Sequence, residues 1–113
     1  MARSPGLRLH DMLESIRVIQ ELTDNLPFDR YRDSLAIRFA TERAIEIISE
    51  ASRSLPSDIK EQHPHIRWAD IAGIGNILRH EYQRVDPLIM WRTIKDELPD
   101  LKAALETLHS ALR

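Results

Sequence analysis

The sequence predicts an all-α protein: a four- to five-helix up-down bundle in one domain spanning residues 1–113. Three observations carry this. Apolar residues recur at three-or-four spacing along most of the 113 residues. Only three glycines and 5% aromatic residues are present, too few for the turns and strands of an all-β chain. Prolines and capping residues fall between the periodic segments, where helices must stop and start.

The elements follow in order. Residues 1–6, Met-Ala-Arg-Ser-Pro-Gly, carry no periodic pattern and are expected to be flexible. Leu9, Met12, Leu13, Ile16, Ile19, Leu22 and Leu26 mark a first amphipathic helix, ended by Asn25-Leu-Pro27. A second helix is expected from near Asp29 or Asp33 to about Leu55, with Leu35, Phe39, Ala40, Ala44, Ile47, Ile48 and Ala51 as its apolar positions. These two long helices should form an antiparallel hairpin. Pro56 closes the second, and Ser57-Asp58 offers a cap for a short following turn. His63-Pro-His65 reads as a connector. A third helix is expected from Trp68 through about Tyr82. Asp86-Pro87 supplies an N-cap with proline at the first helical position of a fourth, lined by Leu88, Trp91 and Ile94. Leu98-Pro99-Asp100 marks a kink or a fresh start, because proline lacks an amide donor and disfavours helix at the residue before it. Leu101, Leu105, Leu108 and Leu112 continue the stripe as core or dimer seam.

With 42% hydrophobic and 30% charged residues, the composition is that of an ordinary globular protein. The absence of cysteine excludes disulfides, thiolate nucleophiles and Cys-ligated zinc. The N-terminus lacks the apolar run of a signal peptide. No stretch approaches the roughly 20 apolar residues that span a bilayer. A cytoplasmic protein without membrane contact is expected. The formal charge is -2, so nucleic-acid contact must come from a local patch rather than general basicity. Arginine supplies most of the positive charge, beside the lysines Lys60, Lys95 and Lys102, which suits bidentate recognition of phosphate.

The chemistry gathers in Gly75-Asn-Ile-Leu-Arg-His-Glu-Tyr82. Gly75 and Asn76 are poor helix-interior residues, so this segment answers to something besides helix stability. On a helix, Asn76 and His80 lie one turn apart on one face, able to bond one ligand or each other, with Arg79 and Tyr82 on the neighbouring face. Such a set can hold a phosphodiester, with His80 moving a proton and Arg79 countering developing charge. A structural histidine and a tyrosine tucked into the core are the plainer alternatives. The other candidates are weaker. His63 and His65 lack nearby carboxylates for a metal site. His10 and His109 read as solvated, and Gly73-Ile-Gly75 lacks a P-loop lysine. Arg43, Glu46 and Glu50 fall at spacing for an intrahelical ion-pair ladder, or flank a cleft if the second helix packs beside the third.

The ordered segments Leu9–Ile16, Glu42–Ala51, Pro64–Gly73, the motif itself, and Val85-Asp86 leading to Trp91 resemble the HepT-like branch of the HEPN superfamily. That family comprises toxins of type VII toxin–antitoxin pairs. The resemblance implies a homodimeric helical bundle with a metal-independent, cofactor-free RNase site at the dimer interface. It also implies a nucleotidyltransferase antitoxin as partner, and RNA as substrate. The family motif pairs an arginine and following asparagine with a histidine five residues after the arginine and a tyrosine two further on. It maps the asparagine to Asn76, the histidine to His80 and the tyrosine, a site of AMPylation, to Tyr82. The motif arginine falls on Gly75. Arg79 lies one turn later, and long helical side chains lean toward the N-terminus, so its guanidinium is expected over Gly75. Arg79 and His80 are therefore the expected catalytic residues, with Asn76 positioning substrate. A catalytically inactive dimer that serves as binding subunit for a nucleotidyltransferase is the alternative, followed by a purely structural helical adaptor.

Overall fold

Ser4 opens the first helix: its hydroxyl accepts from the Leu7 amide, and Pro5 occupies the first helical position. The computed structural model describes residues 4–112, all organised by helices and turns, with no strand among the described residues. Helix α1 runs Pro5–Thr23, α2 Phe28–Asp33, α3 Leu35–Arg53, α4 Ser57–Lys60, α5 Trp68–His80, α6 Pro87–Arg92 and α7 Leu98–Ala111. Of the segment expected to be flexible, residues 1–3 lie outside the described residues, and Ser4, Pro5 and Gly6 build the start of α1.

The all-α prediction stands, with local revisions. The long second helix is two helices, α2 and α3, because Ser34 adopts an extended backbone (φ -105°, ψ 103°) and caps α3 through the Ile37 amide. Ser57 begins α4 rather than capping it; the cap position belongs to Pro56. Tyr82 lies outside α5. At Glu81 the backbone leaves helical geometry (φ -134°, ψ 36°), and Tyr82–Arg84 forms a separate 3-10 turn. Between α6 and α7 the chain neither breaks nor restarts. Pro99 has no amide to donate, and Thr93–Glu97 forms a π-helical turn in which the Leu98 amide bonds Thr93 O.

The bundle is made of α1, α3, α5 and the continuous α6–α7 unit. Leu9, Met12, Ile16 and Ile19 on α1, Ile45 and Ile48 on α3, and Leu101, Leu105 and Leu108 on α7 are buried together. The helix α7 runs opposite to α1: His10 stacks near His109 (6.4 Å), Gln20 accepts from Lys102, and Thr23 O from Lys95. His10 also approaches Glu14 at 3.7 Å, so this pair of histidines is less isolated than expected. Tyr31, fully buried, stacks on Trp91 at 5.1 Å and ties α2 to α6.

The buried face of α3 differs from the predicted apolar list. Leu35 and Phe39 are exposed, whereas Thr41, Ile45, Ser49 and Ser52 are buried. Helix α3 sits between α1 and α5, so part of its inward surface faces a backbone rather than side chains. Small hydroxyl residues permit that approach, and the Ser52 hydroxyl donates to Ser49 O.

Candidate functional site

Helix α5 carries the motif, and its position is set by a close crossing with α3. Ser49 Oγ donates to Ala72 O at 2.9 Å and accepts from the Gly75 amide at 3.2 Å. Arg53, one turn further along α3, donates Nε and Nη2 to the same Ala72 oxygen (3.1 and 2.9 Å). Gly75 is buried in this seam. A Cβ there would stand 2.9 Å from Ser49 Cβ and nearer still to Ser49 Oγ, well inside ordinary carbon contact. Glycine at 75 is thus required by packing, since its backbone is ordinary helix with negative φ.

Arg79 lies over this glycine. Its Nη1 is 3.4 Å from the point a Gly75 Cβ would occupy. Its Nη2 donates to Asn76 Oδ1 at 2.7 Å, and its Nη1 faces Glu50 Oε2 of α3 at 3.5 Å. The guanidinium is therefore folded back toward the helix N-terminus, in the direction helical side chains prefer. The carbonyl of Asn76 is engaged by Arg79 rather than by His80. Glu50 has left the expected ladder, in which Arg43 and Glu46 still pair at 3.4 Å, and crosses to α5 instead.

His80 is the last residue of α5 and is exposed. Tyr82 is 73% exposed on the 3-10 turn. Neither the imidazole nor the phenol hydroxyl has a hydrogen-bond partner among the described residues. The helical break at Glu81 keeps Tyr82 out of the face that carries Arg79, while Glu81 pairs with Arg84 at 2.9 Å. Arg79 and Asn76 are bonded to each other on α5, His80 follows at the end of the helix, and Tyr82 stands apart on the 3-10 turn. A cation, an amide and an imidazole are groups that can bind and act on a phosphodiester. No group of three or more metal-ligating side chains occurs among the described residues, and His63 and His65 stack edge-on at 5.7 Å.

Beside the motif, a cleft of about 790 Å³ opens between α3, α5, α6 and α7. Ile48, Ile66, Ile74, Ile77, Val85 and Ile89 line it. Ile77 and Ile89 are also exposed at its rim, 46% and 60%. No helix is long and apolar enough to cross a membrane among the described residues.

Sequence reasoning missed Ser49, and it did not see that Gly75, the position of the family's motif arginine, is also a packing position against α3. Both are small residues, but nothing within either helix pairs one with the other.

The chain is similar to known proteins over nearly all its length. A probable ribonuclease HepT of Thermococcus cleftensis is 39% identical over 109 residues, covering 96% of this chain and 99% of the relative. A protein of Methanocaldococcus jannaschii provisionally named as an RNase is 36% identical, covering 87% and 90%. Another so named, from Caldanaerobacter subterraneus, is 32% identical, covering 88% and 89%. No solved structure gives a significant match. The family model described as ribonuclease HepT-like matches residues 12–108. The chain belongs to the HepT-like ribonuclease family of the HEPN superfamily.

Proposed function

We propose that this protein is a metal-independent endoribonuclease in which Arg79 takes the part of the family's motif arginine. The observation that carries this is the Arg79 guanidinium, 3.4 Å from the missing side-chain position at Gly75 and one residue before His80. In the proposed reaction Arg79 binds the scissile phosphate, and Asn76 fixes the guanidinium by the bond at 2.7 Å. His80 takes the proton of the ribose 2′-hydroxyl as its oxygen attacks phosphorus. The bond to the 5′-oxygen breaks, that oxygen takes up a proton, and a 2′,3′-cyclic phosphate is left. Arg79 counters the charge that develops on the phosphoryl oxygens. No cofactor takes part.

We further propose a homodimer, a toxin role in the cytoplasm and a nucleotidyltransferase antitoxin as partner. The exposed apolar rim of Ile77 and Ile89 beside the motif supports a second copy docking there. The 73% exposed Tyr82 suits modification by the partner. AMP units on it would bring phosphate charge beside His80 and repel an RNA backbone. The alternative is an inactive dimer that only binds the nucleotidyltransferase, and one observation favours it: Glu50 already faces the Arg79 charge.

Purified protein incubated with RNA separates the two. An RNase gives fragments ending in cyclic phosphate, lost in His80→Ala. An inactive binding subunit gives intact RNA and no growth defect on expression. Mass spectrometry of protein co-expressed with a nucleotidyltransferase that neutralises it tests Tyr82: full neutralisation with unmodified Tyr82 points to sequestration instead.

A further inference from the structure

Arg79 is gripped from two sides. Asn76 holds Nη2 from its own helix at 2.7 Å, and Glu50 faces Nη1 from α3 at 3.5 Å. Glu50 reaches across because Ser49, its neighbour, bonds both Ala72 O and the Gly75 amide and brings the two helices together. The carboxylate one turn earlier, Glu46, is occupied by Arg43 within α3. A phosphate oxygen and a glutamate oxygen cannot share one Nη1 edge, since like charges at that distance repel.

We propose that Glu50 is a positioning residue for Arg79: it steers the guanidinium over Gly75 in the RNA-free protein and competes with the RNA phosphate for its Nη1 edge. This rests on the reading that Arg79 binds the scissile phosphate. Removing the carboxylate then has two effects. RNA binds more tightly, because a competing anion has gone. Turnover falls, because the guanidinium is less well placed. KM and kcat therefore drop together, whereas loss of a merely structural contact lowers activity without tightening binding. Glu50 is 70% exposed, so each effect stays within about fivefold, the range of a surface ion pair.

The test uses the full chain and two probes. A fluorescent 2′-O-methyl oligoribonucleotide, which lacks the attacking hydroxyl, reports binding; unmodified RNA reports kcat and KM. Glu50→Gln is expected to bind the probe about two- to fivefold more tightly at low salt and to cut RNA with lower kcat. The gain should shrink as salt rises, because an exposed charge is screened. It should vanish in an Arg79→Ala background. Glu50→Asp keeps the charge but draws it back by a methylene, so kcat falls while binding tightens less than in Glu50→Gln. Glu46→Gln, which removes the same charge one turn away, should change binding less than Glu50→Gln. Unchanged or weaker binding in Glu50→Gln overturns the proposal, as does equal tightening with Arg79 absent. Wild-type protein that binds the probe through Arg79 without cutting RNA overturns the RNase reading alone, and the binding series still decides for Glu50. Protein that neither binds nor cuts overturns both.

Discussion

Replacing Gly75 with alanine is predicted to destabilise the protein, against the usual preference for alanine in a helix. Alanine gains about 1 kcal/mol over glycine in a helix interior. Here the new Cβ would sit 2.9 Å from Ser49 Cβ, where carbon atoms rest at about 3.5–4.0 Å. Ser49 cannot turn aside freely, because its hydroxyl bonds Ala72 O and the Gly75 amide. Losing both bonds costs about 2 kcal/mol. Forcing the helices apart costs about 1–3 kcal/mol. The net expectation is a loss of about 2 kcal/mol or more, read as a lower urea midpoint at unchanged slope. Gly73→Ala is the matched control on the same helix, since a Cβ there meets nothing within 4 Å, and it should stabilise by about 1 kcal/mol. Adding Ser49→Gly to Gly75→Ala removes the obstructing side chain and should recover part of the loss as a favourable coupling. If Gly75→Ala stabilises as much as Gly73→Ala, the α3–α5 seam is not closed at Gly75, and the packing reason for that glycine fails.

Two further predictions concern stability. Burial holds the Glu42 carboxyl above its ordinary value, outweighing the opposing pull of Arg38. An acid with a raised folded-state pKa opposes folding once it ionises, and the penalty fades as pH falls toward its unfolded value. Glu42→Gln should therefore be more stable than wild type near neutrality, with the gain gone below pH 4.5; a gain that persists unchanged in acid contradicts this. The Trp68 indole N–H donates to both Lys60 O and His63 O at 3.1 Å, pinning the connector before α5. Trp68→Phe should cost about 1 kcal/mol or more in urea unfolding and speed hydrogen exchange at the Ile66 amide, which bonds His63 O. Unchanged exchange there would show that the connector is held by other contacts.

Much of this was legible in the sequence because helix periodicity and capping are local. The Asp86-Pro87 start, for example, is built as its residues dictate, with the Asp86 carboxylate accepting from the Leu88 amide. Two features were not legible, for one shared reason. The burial of Ser49 and the capture of Arg79 by Glu50 both depend on where α5 crosses α3. No pattern within either helix encodes that crossing. The break at Glu81 is similar: neither glycine nor proline marks it, yet it sets Tyr82 apart from the α5 face. The lean of Arg79 toward Gly75 was legible, because it follows from the direction of helical side chains and the absence of one at 75.

The most direct test of Arg79 as the working arginine is the rate at which Arg79→Ala cleaves RNA, relative to wild type at saturating substrate. Removal of one preformed donor to a developing anion typically lowers turnover by about 10²–10³. A fall of that size, with the fold intact by circular dichroism, is the predicted result. Cleavage by Arg79→Ala at the wild-type rate would contradict it.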